Sequence, residues 1–198
     1  EILSGLVGSE MCIRDRRWNR AIYDPAGELS HIRVENRLLP AGPTVKDIVA
    51  DAAFYYGLVK ALGNQTRPVW SRLSFEAAND NFLAGARDGI NAEVEWPTLG
   101  TVAVAELVEK HLLELAHEGL RTLDVDEACA DEYLGVIEGR VRARQNGATW
   151  QLAALERVAG GSKALTTERA DGLARVLRQY MKNSQADAPV HTWTLEVE

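Results

Sequence analysis

Cysteine is almost missing. Two cysteines in 198 residues, Cys12 and Cys129, provide neither a disulfide framework nor a thiolate metal site. Cys129, alone in a helical pattern, is expected to act as a small buried hydrophobe. No apolar run approaches the roughly 18 residues that a membrane span requires. No glycine-rich phosphate loop of the Walker or dinucleotide type occurs, and there is neither an internal repeat nor a low-complexity stretch. Basic residues are in deficit: 22 Lys and Arg against 29 Asp and Glu leave a net charge of −7, which argues against a nucleic-acid surface. A local cationic pocket remains compatible with that balance. The four histidines form no ligand set. His111 and His117 are too far apart to stack on one helix face as residues three or four apart do, and His31 and His191 are isolated, so each is expected at a surface or cap. No nucleophile turn marks a Ser/His/Asp arrangement.

The first residues have the look of an assembly artefact. Leu6 to Arg16, Leu-Val-Gly-Ser-Glu-Met-Cys-Ile-Arg-Asp-Arg, is what a common transposase sequencing adapter encodes in frame, so residues 1–16 are expected to be a scar outside the native fold. Native sequence is then expected over 17–198, as the C-terminal part of a longer catalytic domain. About 180 residues suffice for one domain with a core, or for the second half of a larger one.

Hydrophobic periodicity divides the chain into a hairpin followed by helices. Trp18–Asp24 and Leu29–Leu38 flank the turn Asp24-Pro-Ala-Gly27 and predict two antiparallel strands. Thr44, with Asp47 three residues on, forms an acidic variant of the capping box ahead of a buried helix over Val45–Leu62, which Gly63 and Asn64 end. Ser74 caps a helix over Phe75–Asp88 that closes at Gly89. A short strand is expected over Asn91–Trp96, then helices over Val104–Leu120, from Asp124 to about Arg142, and over Ala148–Ala159, the last stopped by Gly160-Gly161. Thr166 or Thr167 caps a final helix to about Asn183, and Pro189–Trp193 is expected as an extended tail that docks its Trp. The class is α+β, with the hairpin belonging to a larger antiparallel sheet, since two strands alone are marginal.

The most informative segment is His31-Ile-Arg-Val-Glu-Asn-Arg-Leu-Leu-Pro-Ala-Gly-Pro-Thr44. Arg33, Glu35 and Arg37 recur at period two and so share one strand face, while Ile32 and Val34 take the other, with Asn36 as the exception. Such a row is costly to bury without a partner. Taken by itself it suits a solvated strand face stabilised by cross-strand pairs. The prolines of the following Leu39–Thr44 stretch fix the direction in which the chain enters the helix, as a rigid connector or as the floor of a substrate pocket.

With "RVENRLLPAGPT", "AAFYYGL" and "NGATWQ", the chain resembles the glutamate–cysteine ligase type 2 (carboxylate–amine ligase) branch of the glutamine synthetase superfamily. The resemblance implies a glutamine-synthetase-like catalytic domain, cytoplasmic, acting with ATP and Mg²⁺ to activate an amino-acid carboxylate as an acyl phosphate that an amine displaces. Glutamate and cysteine are the leading substrates, with another amine open, and a homo-oligomer is compatible. It further implies that Glu35 binds the metal, Arg37 the transferred phosphoryl group and Arg33 the nucleotide phosphates, chemistry that suits a hard oxygen ligand and forked guanidinium donors. Arg144, Asn146 and Gln151, in Arg140-Val-Arg-Ala-Arg-Gln-Asn-Gly-Ala-Thr-Trp-Gln151, are candidates for nucleotide or substrate contact at a helix start. The plainer reading of that stretch is a basic helix end followed by an Asn-Gly turn. Gln145 departs from the family pattern, which more often has Arg there. One carboxylate cannot hold the metal that such chemistry needs, so the chain alone is expected to be inactive. The rival function is a non-catalytic, ligase-like module that binds a metabolite or partner; a third possibility is an unrelated helical protein with a fortuitous strand.

Overall fold

The computed structural model describes residues 19–25, 30–39, 41–159 and 166–197. The expected scar, Trp18, most of the hairpin turn, Pro40 and the Gly160-Gly161 stop lie outside the described residues. The chain divides into two compact units, Glu1–Ala41 and Gly42–Glu198.

In the first unit, β1 (Asn19–Asp24) and β2 (His31–Asn36) pair antiparallel, with Arg20 opposite Glu35 and Ile22 opposite Arg33. Opposed residues share a face. The charged face therefore holds Arg20, Asp24, His31, Arg33 and Glu35 around Ile22, and the other Ala21, Tyr23, Ile32 and Val34 with Asn19 and Asn36 at one end. Tyr23, Ile32 and Val34 are exposed. Asn36 breaks the alternation for a local reason: its Oδ1 accepts the Leu38 amide at 2.7 Å and turns the chain out of the strand.

The second unit is a helical body with a small hairpin. Its helices are α1 (Val45–Gly63), α2 (Phe75–Asp88), α3 (Val104–Leu107), α4 (Leu113–Arg121), α5 (Glu127–Ala143), α6 (Gly147–Ala159) and α7 (Thr167–Gln185). A π turn over Val108–Leu112 joins α3 to α4, so the single helix expected over Val104–Leu120 is continuous but locally widened. The caps follow the sequence: Thr44, Ser74 and Thr166 accept the amides of Asp47, Ala77 and Arg169. Asp126 rather than Asp124 caps α5, because Asp124 is taken up by a left-handed turn (φ 56°). The expected strand before Pro97 is β3 (Glu93–Trp96). It pairs with β4 (Gly100–Ala103), a strand too short and glycine-led to show a pattern of its own. The α+β class holds, with two antiparallel sheets of two strands each. No helix among the described residues is long and apolar enough to cross a membrane.

Two hydrophobic clusters organise this unit. The larger packs α1 against the α3–α4 run and α5 through Ala50, Leu107, Leu112, Ala116, Leu120, Leu134 and Ile137. The smaller gathers Trp150, Ala154 and Val176 around Val190 and Trp193. Helix α1 departs from the buried helix that its apolar spacing implies. It buries Ala50, Gly57 and Ala61 and packs Phe54 and Leu58 partly against the core, but leaves Val45, Ile48, Val49, Tyr56 and Val59 exposed, so the fully buried strip is made of small residues. Cys129 is exposed on the outer face of α5, not buried, because the α5 residues turned to the core are Ala130, Leu134, Ile137 and Val141.

Helices α1 and α4 touch backbone to backbone. A Cβ on Gly119 would overlap the Gly57 carbonyl, and one on Gly57 the Ala116 carbonyl, so both glycines are required by close approach. Gly119→Ala forces this pair apart and is expected to cost about 3 kcal/mol or more in chemical denaturation, the upper end of overpacking penalties. Gly135→Ala on α5, where an added Cβ meets nothing within 4 Å, is expected to stabilise by roughly 0.5–1 kcal/mol through helix propensity. The two measurements together separate crowding from backbone entropy.

Candidate functional site

The charged face of the β1–β2 hairpin brings three of the sequence-picked residues together. Glu35 Oε2 lies 3.1 Å from an Arg20 terminal nitrogen across the strands and 3.0 Å from one of Arg37, just past the end of β2. The Arg37 guanidinium against it holds the Glu35 carboxyl below its ordinary range against an opposing effect of burial, with the charge of Arg20 adding to the lowering. Arg33 pairs more loosely, its Nε 3.5 Å from Asp24 Oδ2, and its side chain is 60% exposed. Arg20, absent from the sequence-based site, is the partner that cross-strand register supplies. Its Nε is buried without a hydrogen-bond partner among the described residues.

This face suits anionic oxygens better than a cation. Arg20, Arg33 and Arg37 outnumber Asp24 and Glu35 by one charge, and exposed guanidinium donors remain on Arg33. Mg²⁺ prefers octahedral oxygen coordination with one or two carboxylates besides water and phosphate. Among the described residues Glu35 is the one carboxylate at the centre of the row, and it is already engaged by two guanidiniums. Among the described residues no group of three His, Cys, Asp or Glu is placed to hold a metal. The residues described do not fit Mg²⁺ at Glu35.

The second predicted cluster lies in the Gly42–Glu198 unit and is occupied with folding. Arg144 is the C-cap of α5 in left-handed conformation (φ 52°), donating at 3.4 Å to the Ile90 carbonyl. Asn146 caps α6 reciprocally: its Oδ1 accepts the Thr149 amide at 2.9 Å, and its own amide donates to Thr149 Oγ1 at 2.8 Å. Gln151 donates back to the Gly147 carbonyl one turn earlier. Gln145 spans the Val190 and Trp193 carbonyls at 2.8 and 2.9 Å, holding down the C-terminal residues.

Those residues are not extended. Val190–Thr192 forms a 3₁₀ turn, since the Thr192 and Trp193 amides return to Pro189 and Val190. The Trp193 ring does dock, edge-on to Trp150 and Tyr180.

Sequence reasoning missed the most buried polar cluster. Asp47, fully buried, accepts from Thr44 Oγ1 at 2.8 Å, from Arg140 at 2.7 and 3.2 Å and from the Val190 amide at 3.1 Å. Arg140 also reaches the Asp47 carbonyl at 3.0 Å and Asp51 at 2.5 Å. Burial raises the Asp51 carboxyl, with Arg140 opposing. His191 lies over Gly139, where an added Cβ would strike its ring. Burial lowers its pKa, Asp47 pulls it up and Arg140 pushes it down. The Thr44–Asp47 spacing is visible in sequence as a cap, but nothing there links position 47 to positions 140 and 190.

The network is structural, and two outcomes follow. Arg140→Ala strands a buried carboxylate and is expected to cost about 3–5 kcal/mol, with the Val190 amide losing protection in hydrogen exchange. His191 is held neutral, its folded pKa below its unfolded one, so the stability it contributes is complete above the unfolded value near 6.5 and is lost as pH falls through that value towards the folded pKa. Melting temperature is therefore expected to fall between about pH 7.5 and 5.5, around that unfolded value, and His191→Gln to flatten that decline.

None of the family models, curated proteins or solved structures compared with this chain matches it.

Proposed function

We propose that the chain is part of an ATP-dependent carboxylate–amine ligase of the glutamate–cysteine ligase type, glutamate and cysteine being the leading substrates, with the hairpin face contributing guanidiniums that hold anionic oxygens. The reading rests on the resemblance carried by "RVENRLLPAGPT" and "NGATWQ". The observation that supports it is the arrangement of Arg20, Glu35 and Arg37, an ionised carboxylate between two guanidiniums, with Arg33 on the same face, loosely paired to Asp24 and 60% exposed. Amide formation through an acyl phosphate demands cationic groups around phosphoryl oxygens, because negative charge concentrates there. In this reading Arg37 and Arg33 contact those oxygens and Arg20 is a further donor. Glu35 is a positioning residue that fixes the planes of Arg20 and Arg37; no step is assigned to a metal at Glu35. Arg144, Asn146 and Gln151 keep their bonds to backbone groups, and the site of action is cytoplasmic.

The non-catalytic alternative is favoured by one observation, that Glu35 is already paired with both Arg20 and Arg37. Titration of the 198-residue chain with ATP and with inorganic tripolyphosphate tests both. Binding in the millimolar range is expected, falling about tenfold in Arg37→Ala and less in Arg33→Ala, the scale of one charge-assisted contact. Glu35→Gln, which removes a negative charge from the row, is expected to keep or tighten tripolyphosphate binding. Strict Mg²⁺ dependence that Glu35→Gln abolishes would instead restore the metal role to Glu35. No binding by the native chain would sink the ligase reading.

A further inference from the structure

Among the described residues, the outer edge of β2 has no strand beside it. Among the described residues β2 pairs only with β1, and its first four residues are exposed, Ile32 at 74% and Val34 at 66%. An open edge carrying apolar side chains is a template for another strand, and a two-stranded sheet is marginal until it gains one.

The residues along this edge are complementary to themselves. When two β2 strands run antiparallel about a two-fold axis through Val34, Arg33 of one copy faces Glu35 of the other and Glu35 faces Arg33, with Val34 against Val34. Opposed residues share a face, so both ion pairs lie on the charged side and the valines on the apolar side. Neighbouring registers lose this match. Centring on Arg33 opposes two arginines, and centring on Glu35 opposes two glutamates, each a destabilising like-charge contact. A shift that sets Arg33 against Val34 mixes the charged and apolar faces.

We propose that β2 is a self-pairing edge whose occupant is a second copy of this chain, forming a four-stranded antiparallel sheet in the order β1–β2–β2–β1. Across its charged face Glu35 lies between Arg20 of its own copy and Arg33 of the second. Across the other face, Ala21, Tyr23, Ile32 and Val34 of both copies form an apolar surface centred on the paired valines, with Ile32 of each copy opposite Asn36 of the other. The contact is isologous, so it closes as a dimer. It goes beyond the ligase reading and does not rest on it.

Sedimentation equilibrium of the 198-residue chain and of two charge variants tests the pairing. The native chain is expected to dimerise as concentration rises, and more weakly as salt rises. Arg33→Glu sets glutamates against glutamates and Glu35→Arg sets arginines against arginines, so each variant alone is expected to dissociate roughly tenfold or more readily. When the two variants are mixed, the paired carboxylates of the first face the paired guanidiniums of the second at both positions, and a heterodimer of near-native affinity is expected. Its appearance also shows that both variant hairpins remain folded. A native chain that stays monomeric, association that survives in both single variants, as a contact through β1 would, or a mixture that fails to associate would each overturn the proposal.

Discussion

In the Gly42–Glu198 unit, everything turns on the ion pair between Asp47 and Arg140. A fully buried carboxylate is tolerable only when its lone pairs are filled, and here they take a threonine hydroxyl, a guanidinium fork and the Val190 amide. The guanidinium also bonds the Asp47 carbonyl and Asp51, so its donors are spent on one turn of α1. Three segments distant in sequence, the start of α1, the end of α5 and the 3₁₀ turn at Val190, are thereby held in one geometry. Hydrophobic packing alone would leave their register looser, because apolar contacts lack direction.

Around that pin the two clusters do different work. The larger brings α1 so close to α4 that glycine is required at positions 57 and 119, and it places mainly small residues on the inner side of α1. The smaller is aromatic: Trp150, Tyr180 and Trp193 meet near edge-to-face, and the indole nitrogens of Trp150 and Trp193 donate to the Thr194 and Ala188 carbonyls. Buried tryptophan is stable here because its polar atom is bonded as well as its ring packed. The hairpin of the first unit is of another kind, held across the strands by the Arg20–Glu35 and Arg33–Asp24 pairs and carrying its apolar face outward.

Local rules were the legible part. Thr44, Ser74 and Thr166 announce their helices because a cap is a contact within three residues, and the alternation over residues 31–35 announces β2 because its period is two. Strand β4 was not legible, since four residues beginning with glycine carry no period. The Arg33/Glu35/Arg37 row was found, but its neighbour Arg20 was not, because register across a turn depends on the pairing of the two strands. Arg144, Asn146 and Gln151 look alike in sequence as ligands or as local structural residues, and in the structure each bonds a backbone group. The Asp47–Arg140–Val190 network was invisible for the same reason that it matters: it joins positions up to 143 residues apart.

That separation has a kinetic meaning. The carboxylate that anchors α1 receives its last donor from residue 190, so the chain must close one of its longest loops before the anchor is complete, and loop closure of that length is entropically slow to find. Helices α4 and α5, neighbours in sequence, close a far shorter loop than the one that brings the Val190 amide to Asp47. The Val190 turn is thus the latch of the unit, since the Asp47 carboxylate is fully bonded only when that turn is in place.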